Sequence, residues 1–151
     1  MTEQTTQELA SQIAEVTFSL LADCQEKEER LAEQFGISVP DFRTLRMFRT
    51  EHQVNIKSLI QRVGLSGSRL TRILDDLEAR GFITRSLDPE DRRSMVVTLR
   101  PEGFKLVKKL ESRFVQIHEE ILEGIPEELH EPLLIGLQKM LGSIQRWLRE
   151  S

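Results

Sequence analysis

Residues 65–99 read LSGSRLTRILDDLEARGFITRSLDPEDRRSMVVTL. Ser66 is an N-cap candidate, and the helix it starts places Leu70, Ile73, Leu74 and Leu77 on one face before stopping at Gly81. Two β-prone runs follow, at 82–86 and 94–99. The segment between them, Asp88-Pro89-Glu90-Asp91-Arg92-Arg93, carries five charges in six residues and is too polar to bury. Just upstream, Asn55 is a plausible N-cap for a short helix carrying Ile56, Leu59, Ile60 and Val63, which Gly64 ends. Two short helices joined by a tight Gly-containing turn have the helix-turn-helix shape. A generic helical hairpin is the plainer alternative, but a β-hairpin directly behind the pair makes a winged helix.

Outward from this block the helical period dominates. Leu9, Ile13, Val16, Leu20, Leu21 and Cys24, then Leu31 and Phe35, form one stripe closed by Gly36. Ser38 and Asp41 bracket Pro40 in a helix-start pattern leading into Phe42, Leu45 and Phe48. Beyond Arg100-Pro101-Glu102, Phe104, Val107, Leu110, Phe114, Ile117 and Ile121 form a second stripe, interrupted by Gly124 and Pro126. Leu129, Leu133, Leu137, Met140, Leu141, Ile144 and Leu148 form a third. A winged-helix core cannot cover this much apolar surface. The expected fold is mainly α with a small β-hairpin: a winged helix-turn-helix lobe at 37–100, and a helical dimerisation region from 1–36 and 101–151.

Composition narrows the class. With 38% hydrophobic and 30% charged residues among 151, the chain suits a soluble globular protein. No apolar run approaches the roughly 20 residues that span a bilayer. The polar, acidic start at Met1–Ala10 lacks the order of a secretion signal. The single cysteine, Cys24, has no internal disulfide partner, so the cytoplasm is the expected compartment. The net charge is −4, yet it is unevenly spread. Residues 1–50 carry 5 Lys+Arg against 9 Asp+Glu, and 101–151 carry 7 against 9. Residues 51–100 carry 9 against 7, and eight of those nine cations are arginine, whose fork suits phosphates and guanine edges.

With its apolar face turned inward, the helix after Ser66 presents Gly67, Ser68, Arg69, Thr71, Arg72 and Asp75. Short donors, two arginines and a glycine that permits close approach suit the major groove, and the helix N-terminus adds an anion site. In the hairpin tip, Asp91 and Arg93 stand two apart and share a side, so the carboxylate is expected to hold the Arg93 guanidinium in one orientation. A narrow, negative minor groove favours one such extended arginine, while Arg92 points elsewhere, most simply to a phosphate. A solvated tip with an ion pair worth almost nothing is the plain alternative.

At this point the sequence resembles the MarR family of bacterial transcription regulators. The similarity rests on Leu-Glu-Ala-Arg-Gly at 77–81, Asp-Pro-Glu-Asp-Arg-Arg at 88–93 and Leu-x-Pro-Glu-Gly at 99–103, with "FGISVPDFRTLRMF" at 35–48 a looser match. By motif it covers roughly residues 31–110. The resemblance implies a homodimer, triangular in outline, that binds double-stranded DNA at a palindromic operator and acts as a repressor. It makes Ser66, Ser68, Arg69, Thr71 and Arg72 the DNA-facing candidates of the groove helix. It gives Arg93 the minor-groove role, supported by Asp91. It also implies a small-molecule effector that weakens DNA binding. The sequence departs from the family pattern at Gly67 and Arg69, which bears on the operator sequence.

Other readings are weaker. There is no Gly-rich phosphate loop and no nucleophile motif, so no enzyme and no cofactor are expected. A zinc-sensing regulator would need Cys24, His118 and Glu119 to converge in a dimer, without any His-x3-His pair. An oxidant sensor would need a reactive Cys24, whereas its place in the apolar rhythm of Val16, Leu20 and Leu21 predicts a buried, unreactive thiol. A helical adaptor using a winged helix to bind protein would show an apolar patch where Ser68, Thr71 and Arg72 stand.

Overall fold

Three glycines, Gly36, Gly64 and Gly81, end helices by turning left-handed. A computed structural model describes residues 5–151; residues 1–4, which open the expected dimerisation region and the polar N-terminus, lie outside it. Helix α1 (Thr6–Gln34) starts with a capping box, in which the Thr5 hydroxyl accepts from Glu8 N–H and the Glu8 carboxylate accepts from Thr5 N–H. It ends where Gly36 adopts φ 65°, with Gly36 N–H bonded to Glu33 C=O and Ile37 N–H to Ala32 C=O. Helix α2 (Val39–Arg46) begins with the second capping box, Ser38 with Asp41, as the sequence pattern predicted.

A short strand, β1 (Gln53–Asn55), then leads directly into α3 (Ile56–Val63), which Asn55 caps and Gly64 closes at φ 71°. Helix α4 (Gly67–Ala79) is capped by Ser66, and Gly81 at φ 81° turns the chain into β2 (Ile83–Leu87). Strand β3 (Met95–Leu99) pairs antiparallel with both β2 and β1, giving the order β1-β3-β2. The register sets Ile83 opposite Leu99, Arg85 opposite Val97 and Val54 opposite Val97 on the other edge. The sequence reading gave a two-stranded hairpin. The third strand is three residues long, too short for its alternation to register.

Helix α5 (Pro101–Leu122) follows, then a turn of 3-10 helix at Glu127–Leu129 and helix α6 (His130–Glu150). The chain separates into two compact units within α5, after Glu111. In the first unit Leu31, Phe42, Leu45, Leu59, Leu70, Leu74, Leu77, Ile83, Val97 and Leu110 are all essentially closed to solvent. Burying side chains of this size stabilises by about 1.5–3 kcal/mol each, so this cluster is what holds the lobe. The second unit differs sharply. Helix α6 has no buried residue, and Leu133, Leu137, Leu141, Ile144 and Leu148 along it are exposed in the single chain.

Helix α1 resembles α6 in this respect, since only Leu31 and Ala32 are buried. Leu9, Ile13, Val16, Leu20 and Leu21 are exposed, and so is Cys24. The expectation of a buried thiol is therefore corrected: Cys24 is exposed in the single chain, and its sulfur lies 3.7 Å from Lys27 Nζ.

Gly103 occupies the tightest place in the lobe. The Phe82 carbonyl accepts from Arg100 N–H at 2.9 Å, and a Cβ on Gly103 would lie 2.0 Å from that same oxygen. Backbone on both sides leaves no flexible group to yield. Gly103→Ala is expected to cost about 3 kcal/mol of unfolding free energy by forcing α5 away from Phe82. Urea denaturation of the variant against wild type measures it, and a midpoint unchanged from wild type would contradict this packing.

Candidate nucleic-acid interface

Helix α4 presents on its outer face the residues that the sequence reading assigned to DNA. Ser66, Gly67, Ser68, Arg69, Thr71 and Arg72 are all exposed, while Leu70, Leu74 and Leu77 face the core. Ile73, expected inward, is only half-buried. Ser66 Oγ accepts from Arg69 N–H at 3.3 Å and lies 3.3 Å from Ser68 Oγ, so this hydroxyl is first a helix cap. Thr71 donates back to the Gly67 carbonyl at 2.8 Å. Both hydroxyls are thus satisfied and oriented in the free protein. A Cβ on Gly67 would meet only Ile60 Cδ1, at an ordinary 3.7 Å, so nothing in the lobe demands glycine there.

The arginines of this region divide into two sets. Arg69, Arg72, Arg92 and Arg93 are exposed, and no ion pair holds their guanidinium groups among the described residues. Arg85 is the opposite case. From β2 it reaches Asp75 at 2.6 Å and Glu78 at 2.7 Å on α4. Partial burial works against its charge, but the hydrogen bonds and attraction of Glu78 and Asp75 prevail and raise its pKa further. This clamp fastens the sheet to the groove helix. It also neutralises Asp75, a carboxylate that would otherwise stand on the outward face.

The hairpin tip is built differently from the expectation. Asp91 does not hold the Arg93 guanidinium. Its Oδ1 accepts from the Arg93 backbone N–H at 3.0 Å, and its Oδ2 lies 3.6 Å from Lys57 Nζ. The reason is reach: a turn brings the carboxylate closer to the main chain two residues on than to the end of a long side chain. Ser94 N–H closes the turn on Asp91 C=O at 2.9 Å. Asp91 therefore shapes the backbone that carries Arg92 and Arg93, and both arginine side chains remain extended toward solvent.

Two positioning arrangements escaped the sequence reading. Asn55 donates to Asp88 Oδ2 at 2.8 Å and to Ser94 Oγ at 2.9 Å, and Arg85 makes the clamp described above. Arg85 could have been suspected, since a lone arginine on a strand follows two acidic positions one helical turn apart. Nothing in the sequence marks Asn55 or Ser94 as partners across 39 residues.

The comparisons with known proteins fit this geometry. The MarR family model matches residues 37–95, which span α2 through the start of β3. The HTH-type transcriptional regulator SarZ of Staphylococcus haemolyticus is 26% identical over 112 residues, covering 74% of this chain and 76% of SarZ. Residues 37–95 therefore carry the pattern of the MarR family. Its members are transcriptional regulators rather than enzymes. Among solved structures, the transcriptional regulator BldR of Sulfolobus solfataricus is 26% identical, with a TM-score of 0.71 over 93% of this chain and 99% of that one. Bordetella bronchiseptica BpsR, whose DNA binding is regulated by 6-hydroxynicotinic acid, shares the fold at 22% identity, with a TM-score of 0.64 over 82% and 97%.

Among the described residues, no three His, Cys, Asp or Glu side chains are placed to hold an ion. His118 Nδ1 lies 2.7 Å from Phe114 C=O, and His130 Nε2 lies 2.8 Å from Ile125 C=O. Among the described residues, no helix is long and apolar enough to cross a membrane.

Asp88, at the wing's root, has its pKa lowered, first by the Glu90 backbone N–H and then by the Asn55 amide. A carboxyl depressed in the folded state contributes stability above its unfolded value, about 3.9, and loses it as pH falls through the lower folded value. The wing root is therefore expected to stay formed down to about pH 4 and to loosen only below it. An NMR titration of the Asp88 side-chain carboxyl should show a midpoint below 3.9 in wild type and one shifted upward in Asn55→Ala. Equal midpoints would remove the amide's part in the depression.

Proposed function

We propose that this chain is a sequence-specific, DNA-binding repressor that acts as a homodimer on a palindromic operator. The lobe at 37–100 reads DNA, and 1–36 with 101–151 form the dimer. The observation that carries the reading is the division of the arginines: four exposed guanidinium groups on α4 and the wing have no carboxylate partner among the described residues, although Asp and Glu outnumber Lys and Arg 25 to 21 in the chain. Arginines left open in an acidic protein suit a polyanion. Arg69 and Arg72 with Ser66, Ser68 and Thr71 meet the major groove, Arg93 enters the minor groove, and Arg92 takes a phosphate. Asp91 acts through the turn it shapes.

Two further parts of the reading have separate support. A helix in a protein is stabilised mainly by packing its apolar face, so the uncovered apolar stripe of α6 calls for another surface, and the similar stripe on α1 offers the same need. A second copy meets both needs at once. Control by a small molecule is extended to this chain from BpsR, whose DNA binding responds to 6-hydroxynicotinic acid. An adaptor role is disfavoured by the polar outward face of α4.

The decisive experiment selects bound duplexes from random DNA with the wild-type protein and then measures their affinity across a salt series. Arg93→Ala is expected to weaken binding by about 1–3 kcal/mol and to lower the salt dependence, with the fold intact. Affinity equal to wild type at every salt concentration would falsify the minor-groove assignment. Sedimentation at micromolar protein is expected to show a dimer with no stable folded monomer. A compact monomer that unfolds cooperatively at that concentration would contradict the dimer.

A further inference from the structure

The root of the wing is a closed hydrogen-bonded set centred on one amide. Asn55 Oδ1 accepts from Lys57 N–H at 2.8 Å and so starts α3. Its Nδ2 donates to Asp88 Oδ2 at 2.8 Å and to Ser94 Oγ at 2.9 Å. Asp88 opens the wing loop and Ser94 closes it, and their backbones are joined directly, Asp88 N–H to Ser94 C=O at 3.0 Å. The other Asp88 oxygen accepts from Glu90 N–H at 2.9 Å. Ser94 is 4% exposed, which shields this set on one side. Lys57 and Asp91 add a second link from α3 to the loop, but at 3.6 Å and largely exposed it contributes little.

We infer that Asn55 is a positioning residue for DNA recognition, fixing the wing loop to the first turn of α3 and thereby setting where Arg93 meets the groove. The inference rests on the minor-groove reading of Arg93 given above. The side chain's chemistry is what singles it out. Serine, threonine or aspartate would cap α3 as well as asparagine does. None of them supplies the two N–H donors that reach both ends of the loop. Aspartate would also set a second carboxylate against Asp88. A contact residue on a loop is useful only if its support holds it to a fraction of an ångström, and Asn55 ties that loop to a helix whose Leu59 is fully buried.

The test separates capping from anchoring. Asn55→Asp keeps the α3 cap and removes both donors; Asp88→Ala removes the wing-side acceptor instead. Each is combined with Arg93→Ala, and affinity is measured for a duplex selected from random DNA by the wild type. Asn55→Asp alone is expected to weaken binding about fivefold, less than the about tenfold or greater loss from Arg93→Ala. In the Arg93→Ala background, Asn55→Asp is expected to add less than about twofold, because the contact it positions is gone. Asp88→Ala should follow the same pattern, and carries the test by itself if Asn55→Asp melts well below wild type. Losses that multiply in the double variants would overturn the inference while leaving the minor-groove reading intact. Wild-type affinity in both Asn55→Asp and Asp88→Ala would overturn it too. Wild-type affinity in Arg93→Ala removes the minor-groove reading first, and this inference with it.

Discussion

The lobe is organised around the peptide of Phe82. Its N–H closes the end of α4 on Leu77 C=O, and its carbonyl receives Arg100 N–H at the far end of the hairpin. The same oxygen lies against Gly103 in the first turn of α5. Groove helix, sheet and long helix therefore meet at one main-chain unit, with the Arg80 guanidinium 5.2 Å above the Phe82 ring. The Gly81 turn and the Gly103 contact are the two places where a side chain would break this joint, and the first lies in the stretch that matches the MarR family model. Everything that faces DNA in the proposed function inherits its position from here.

Polar side chains then divide the remaining work. The Arg85 clamp to Asp75 and Glu78 fastens the sheet to the groove helix, and Asn55 fastens the wing loop to α3. These pairs are partly exposed, so their value lies less in global stability than in geometry. The groups proposed to touch DNA are held by neighbours that do not. A similar arrangement runs through α4, where Ser66 and Thr71 hydroxyls are bonded to the helix's own backbone before any ligand arrives.

Most of the fold was legible because its signals are local. Ser38 with Asp41, Asn55, Ser66, Gly36, Gly64 and Gly81 each mark a helix end by chemistry contained within a few residues, and all six act as read. The apolar stripes were legible for the same reason, since 3.6-residue periodicity needs no knowledge of the partner surface. Three things were not legible. Strand β1 is three residues long and is defined by its pairing with β3, 43 residues away at Val54 and Val97. The role of Asp91 depended on whether its carboxylate reached a side chain or a backbone amide, which is settled by turn geometry. Cys24 follows an apolar rhythm that predicts burial, but a stripe reveals only that something should cover it, and among the described residues Cys24 stays exposed.

The unpaired state of the four outward arginines has a kinetic consequence. An arginine held as Arg85 is must leave two carboxylates before it can engage a phosphate, and that step would slow association. Arg69, Arg72, Arg92 and Arg93 have no such bond to break. In the proposed function, a chain with a net charge of −4 meets a polyanion through the segment 51–100, where its basic excess lies.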